Sequence, residues 1–70
     1  MENFMNRIEI NPKILLGKPI IHMTRIPVEL IVKLVAQNWK EKEILKEYPC
    51  LKKEDIRAAL LYAEKVIEEE

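Results

Sequence analysis

Residues 39–60 read WKEKEILKEYPCLKKEDIRAAL, and the fold turns on how this stretch divides. Pro49 divides it, because the residue before a proline is pushed out of the helical region. Upstream, Glu41 to about Tyr48 predicts a short helix with Ile44, Leu45 and Tyr48 on its apolar face. Downstream, about Lys53 to Glu68 predicts a longer one. Ile56, Leu60, Ala63 and Ile67 recur there at helical spacing and form the expected core stripe. Both helices start on the same device. With Lys40 as N-cap, Trp39 and Ile44 flank it as a hydrophobic staple; with Lys52 as N-cap, Leu51 and Ile56 do the same. Glu43 and Asp55 fall at the third helical position, where an acid supports a capping box. Lysine is a poor cap, costing on the order of 1 kcal/mol against Ser or Thr. Pro49-Cys50-Leu51 is then a three-residue turn, and helix, short turn, longer helix predicts a helix-turn-helix. Many helical bundles share that pattern without touching DNA. Cys50, inside the turn, is expected to be a small buried apolar group.

Working back from Trp39, Asn38 marks the end of another helix, since Asn tolerates the left-handed conformation. Pro27 opens that helix as its first residue, where its missing N–H costs nothing. Val28, Leu30, Ile31, Val32, Leu34, Val35 and Ala36 make the helix apolar almost all round, so burial on most sides is expected. Further upstream the period changes. Arg7-Ile8-Glu9-Ile10 alternates like a strand. Asn11-Pro12 marks a turn. Ile20-Ile21-His22-Met23-Thr24 is rich in β-branched residues and predicts a second strand. Gly17, between them, is free to take a positive φ. Together these predict a mainly α protein: a three-helix, homeodomain-like helix-turn-helix bundle preceded by a short two-stranded β ribbon. The expectation is a single domain over 1–70, with ribbon and junction over 1–26 and the helical part over 27–70.

Size and charge narrow the function. A chain of 70 residues buries only about 60% of its unfolded surface, and such domains commonly need a disulfide, a metal or a partner. One cysteine excludes an internal disulfide, and His22 with Cys50 are too few ligands for zinc. A homodimer is the expectation, through the strand edges or the apolar first helix. No secretory signal or membrane span is visible, and a lone cysteine suits a reducing compartment, so a cytoplasmic protein is expected. The 12 basic residues match 12 acidic ones, so no strongly basic surface is advertised. With a single glycine there is no phosphate-binding P-loop. No acid pair or nucleophile–base pairing stands at a catalytic spacing. The expectation is a non-enzyme without cofactor or metal.

Two blocks of residues carry a resemblance. Gly17-Lys18-Pro19-Ile20-Ile21 with Thr24-Arg25-Ile26-Pro27-Val28 resembles a signature of the domain-of-unknown-function 433 family. Glu43-Ile44-Leu45, Tyr48-Pro49 and Glu54-Asp55-Ile56-Arg57-Ala58-Ala59-Leu60 resemble its second half. The resemblance covers roughly residues 7–63. It implies a helix-turn-helix fold and a VapB-type antitoxin that pairs with a PIN-like toxin, a ribonuclease. The chain departs from the pattern at Met23 and Asn38, where the family usually has glycine. It departs again at Lys40 and Lys52, where Ser and Thr commonly cap.

In a helix-turn-helix the N-terminal part of the second helix enters the major groove. Lys52, Lys53 and Arg57 lie on that part, and Arg57 has the reach for a guanine edge. Lys40 and Lys52, at helix N-termini, can meet phosphates beside free backbone N–H groups. The competing reading is that these are solvated charges interleaved with Glu54 and Asp55. Arg25 is either a phosphate or partner contact, or a structural residue that pairs with an acid such as Glu29 or binds carbonyls at the ribbon end. His22 is expected as a half-buried strand residue rather than a base. Trp39 is expected as a staple rather than a binding platform. Glu68-Glu69-Glu70 reads as a frayed acidic end, with competition for a basic nuclease groove as the other reading. Two functions follow, a DNA-binding antitoxin that represses its own operon, or a protein-interaction module that pairs without DNA.

Overall fold

The ribbon and the helices share one core, and local polar contacts decide where each element stops. The computed structural model describes residues 4–68; of the acidic end only Glu68 falls inside that range, exposed, while Glu69 and Glu70 lie outside it. A 3-10 turn at Phe4–Arg7 leads into β1, Ile8–Glu9. A second 3-10 turn at Leu15–Gly17 precedes β2, Ile20–Ile21. Three helices follow: α1 Val28–Ala36, α2 Glu41–Glu47 and α3 Lys53–Glu68. The expected β ribbon followed by a three-helix bundle is therefore the fold, with α2, a turn and α3 as its helix-turn-helix part.

The strands pair antiparallel, with Ile8 opposite Ile21 and Glu9 opposite Ile20. The second strand is shorter than expected and ends at Ile21. Its β-branched run is interrupted by Thr24, whose hydroxyl donates to the Ile21 carbonyl at 2.7 Å and accepts from the Ile26 N–H at 3.0 Å. Such local side-chain bonds give the backbone an alternative to the ladder. Met23, inside the turn, has φ 66°, the left-handed region, which explains why a glycine suits this position. His22 therefore sits in an exposed turn, not half-buried in a strand. The far side of β2 is not bare. Ile20 bridges to Pro27, Ile21 N–H donates to the Ile26 carbonyl at 2.9 Å, and Val28 N–H donates to the Pro19 carbonyl at 2.9 Å. That bridge holds Pro27 extended, at ψ 148°, so it is the N-cap of α1 and not its first helical residue.

Between the strands, the Asn11 carboxamide oxygen accepts from the Lys13 N–H at 2.9 Å, closing the expected Asn-Pro turn. Gly17 has the expected positive φ, 80°. Leu15 and Leu16 precede it at φ 49° and 57°, so three successive residues are left-handed, and Leu16 is 96% exposed.

α1 buries Val28, Ile31 and Leu34. Leu30 and Val32 are half-buried, and Val35 and Ala36 are exposed. The helix thus packs through one face and its flanks, rather than on most sides. Its end is a Schellman motif: Asn38 has φ 68°, its N–H donates to the Val35 carbonyl at 3.0 Å, and Trp39 N–H donates to the Leu34 carbonyl at 3.0 Å. Trp39 is thereby folded back onto the core, the staple role expected of it.

α2 and α3 start as the sequence predicts. Lys40 N–H donates to Glu43 Oε1 at 2.8 Å, and Lys52 N–H donates to Asp55 Oδ2 at 2.9 Å. A lysine has no acceptor to return, so each cap is half a capping box. Ile44, Leu51 and Ile56 are buried together with Ile21, Val28, Ile31, Leu34 and Ala59 in one cluster. Five residues, Tyr48 to Lys52, separate α2 from α3 rather than three, because Tyr48 has already left helical geometry at ψ 77°. Cys50 is exposed on that turn, not buried.

The core face of α3 also differs from expectation. It is Asp55, Ile56, Ala58 and Ala59, with Tyr62 half-buried behind them. Leu60 is 38% and Ile67 70% exposed. Small side chains explain the rotation. Ala58 and Ala59 let the first three turns lie close against α1 and the N-terminal 3-10 turn. A bulky stripe would hold those elements apart.

Candidate nucleic-acid interface

The five basic residues singled out in the sequence fall into separate settings. Lys53 and Arg57 lie one turn apart on the solvent face of α3, the spacing at which helical side chains stand as neighbours. They share a shallow depression with Glu41, Glu54 and Leu60, so two acids stand beside the two bases. Lys52, at the end of the helix, lines a hollow with Arg7, His22, Met23, Thr24 and Cys50. Arg25 lines the adjoining hollow, which shares Met23, Thr24 and Cys50 as its wall. The β2–α1 turn and the α2–α3 turn thus lie side by side, and they bring Arg25 and Lys52 to one end of the molecule. Lys40 is exposed at the start of α2, one residue before Glu41.

Asp55 orders this region. It is 6% exposed, and its two oxygens serve two parts of the chain. Oδ2 accepts from the Lys52 N–H, and Oδ1 accepts from Arg7 Nη1 at 2.9 Å. A carboxylate at the N-terminus of a helix also meets the positive end of its dipole. The ion pair with Arg7 spans 48 positions of sequence. It ties the roll of α3 to the N-terminal 3-10 turn, and so bears on which α3 side chains face solvent. Among the described residues no buried side-chain nitrogen or oxygen lacks a hydrogen-bond partner.

Two expectations change here. Asp55 is not a solvated charge competing with Lys53 and Arg57; it is buried and paired with Arg7. At the two N-caps, the N–H groups of Lys40 and Lys52 themselves are taken up by Glu43 and Asp55. Glu29 does not pair with Arg25. It pairs with Lys18 Nζ at 2.9 Å, and both of those side chains are exposed. Arg25 is left exposed on its turn. His22 Nδ1 lies 3.0 Å from Glu9 Oε1 across the ribbon, an exposed contact.

Sequence reasoning missed Arg7. It was expected at the start of an alternating strand, whereas it ends the 3-10 turn before β1, and nothing local ties residue 7 to residue 55. The acid at the third helical position was the visible half of the pair.

A second feature lies toward the other end of α3. Val28 and Val32 of α1 face Tyr62, Ala63, Val66 and Ile67 of α3 across an open apolar groove of about 320 Å³. Among the described residues no group of three or more His, Cys, Asp or Glu side chains is placed to hold a metal ion. Among the same residues no helix is long and apolar enough to cross a membrane.

Comparison with known proteins fits the same frame. Residues 8–63 match the family described as protein of unknown function, DUF433. An uncharacterized protein of Sinorhizobium fredii is 39% identical over 54 residues, which cover 77% of this chain and 24% of that protein. The chain therefore spans about a quarter of that relative's length. The crystal structure of a DUF433 member from Anabaena variabilis superposes with a TM-score of 0.84 at 41% identity, covering 91% of this chain and 63% of that one. Both sequence blocks, the ribbon, the first two helices and most of α3 lie within residues 8–63, and the chain belongs to the DUF433 family.

Proposed function

We propose that this protein is a cytoplasmic antitoxin-type autorepressor. It binds its own operator DNA as a homodimer and pairs with a PIN-like ribonuclease toxin. The observation that carries the DNA part is the Arg7–Asp55 pair. By burying the one acid on the inner side of the first turn of α3, it leaves Lys53 and Arg57 facing outward, with Glu54 and, from α2, Glu41 as the acids beside them. Lys52 and Arg25 extend the basic surface at the helix end, and Lys40 adds a further cation at the start of α2. In this reading Arg57 contacts a base edge, and Lys40, Lys52, Lys53 and Arg25 contact phosphates. The toxin part rests on the family resemblance alone. The protein acts by binding and not by catalysis.

The test is a mobility-shift titration on the DNA upstream of its own gene, with and without the neighbouring gene product. Arg57→Ala should cost roughly 1–3 kcal/mol at one base position. Lys53→Ala should weaken all sequences alike. If neither DNA nor the neighbour is retained at low salt, the reading fails.

A second reading, a protein-interaction module without DNA, is favoured by the apolar groove and by the balanced net charge. Retention of the protein neighbour with no DNA shift would select it.

A further inference from the structure

Two hollows adjoin where the β2–α1 turn lies beside the α2–α3 turn, and His22 lines one of them. The charged groups around it come from every element at that end. Arg7 of the N-terminal 3-10 turn and Asp55 of α3 line the same hollow and are joined to each other at 2.9 Å. Lys52, just before α3, lines it too, and Arg25 lines the adjoining hollow; both are exposed. Glu9 of β1 is the remaining acid, and its oxygen lies 3.0 Å from His22. The thiol of Cys50 stands in the wall that the hollows share.

Histidine is the side chain that changes charge between about pH 5 and 8. With His22 neutral, Lys52 and Arg25 stand against one acid, Glu9. With His22 protonated, Glu9 is offset and the two cations are unopposed. The ring changes in the same sense. A carboxylate can only accept, so the nitrogen facing Glu9, Nδ1, carries a hydrogen in both states. The proton that comes and goes is therefore the one on Nε2. Without it Nε2 is an acceptor and repels a phosphate oxygen; with it Nε2 donates a charge-assisted bond.

We infer that His22 is a third phosphate contact beside Lys52 and Arg25, and that it engages only when protonated. The ligand is a phosphate group. The inference rests on the DNA reading above for the source of that group, and it makes DNA affinity rise as pH falls.

The experiment uses the full chain at low salt. His22 is the only histidine, so its ring signals identify themselves in an NMR titration. The titration is run alone, with the DNA upstream of the gene, and with millimolar inorganic pyrophosphate. DNA affinity is measured by fluorescence anisotropy at pH 7.5 and 5.5 for wild type and His22→Gln. That range stops short of where thiols ordinarily titrate, at about 8.5. Between those pH values wild type should gain at least about threefold more affinity than His22→Gln. By reciprocity, DNA should raise the His22 midpoint by about 0.5 pH or more. Pyrophosphate should raise it as well, and less in Lys52→Gln. Equal pH dependence in wild type and His22→Gln keeps the DNA reading and overturns the His22 contact. A midpoint raised by pyrophosphate, with no DNA bound, keeps the phosphate site and overturns DNA as its source. A midpoint that neither ligand moves, or a rise undiminished in Lys52→Gln, overturns the site.

Discussion

Asp55 caps α3 with one oxygen and holds Arg7 with the other. Removing it leaves the Lys52 backbone donor without its acceptor and takes a buried carboxylate from the half-buried Arg7 guanidinium. Asp55→Ala should therefore cost about 2–3 kcal/mol, read from the shift in urea midpoint. Arg7→Met keeps the cap and should cost less. The double variant should be less damaging than the two single losses summed, with a coupling of about 1 kcal/mol or more. Simple additivity would mean that the pair contributes nothing of its own. Met23 presents the reverse case. It is 85% exposed at φ 66°, so its side chain adds little packing while its backbone is strained. Left-handed geometry costs an L-residue about 1–2 kcal/mol, and glycine returns part of that as unfolded-chain entropy. Met23→Gly should raise stability by about 0.5–1 kcal/mol, and Met23→Ala should not. Thr24 holds the same turn through two bonds, one donated and one accepted. Thr24→Val should cost about 1–2 kcal/mol and speed amide exchange at Ile26.

The elements differ in how much they owe to sequence neighbours. α3 starts at Lys53 and α2 at Glu41, as the staples and third-position acids predict. A better cap should therefore act as capping rules say. Lys40→Ser gives the first turn of α2 an acceptor that lysine lacks, and should add about 0.5–1 kcal/mol in thermal or urea unfolding. The end of α1 was equally legible, because Asn38 is a residue that accepts φ 68° without glycine. Three things were not legible. The β-branched run Ile20–Thr24 reads as a strand, yet Thr24 supplies a local bond that stops it. The roll of α3 was hidden because Leu60 and Ile67 have the right period and the wrong partners; two alanines and an aspartate face the core instead. Arg7 and Asp55 meet only through the tertiary fold. The candidate site shared this division. The positions of Lys52, Lys53 and Arg57 followed from the helix boundary, whereas the neutralisation of Asp55 and the pairing of Glu29 with Lys18 required the folded chain.

For the whole molecule, zero net charge limits the strength of the proposed DNA contact. Each phosphate contact contributes about −0.9 to the slope of log affinity against log salt. With Arg57 on a base, the four remaining cations allow a slope of about −3.6 per chain. A much steeper value would require cations outside this set. The Arg7–Asp55 pair also bears on the order in which the chain assembles. Contacts among α1, α2 and α3 close short loops, and loop closure grows dearer with separation. The 3-10 turn that leads into the ribbon joins them through a contact between residues 48 apart, the most remote ion pair described. It should form after the folding barrier has been crossed. Arg7→Met should accordingly accelerate unfolding in stopped-flow measurements while leaving the folding limb of the chevron nearly unchanged. That outcome would make residue 7 a latch on lifetime: it would set how long the native molecule lasts, and not how fast it is reached.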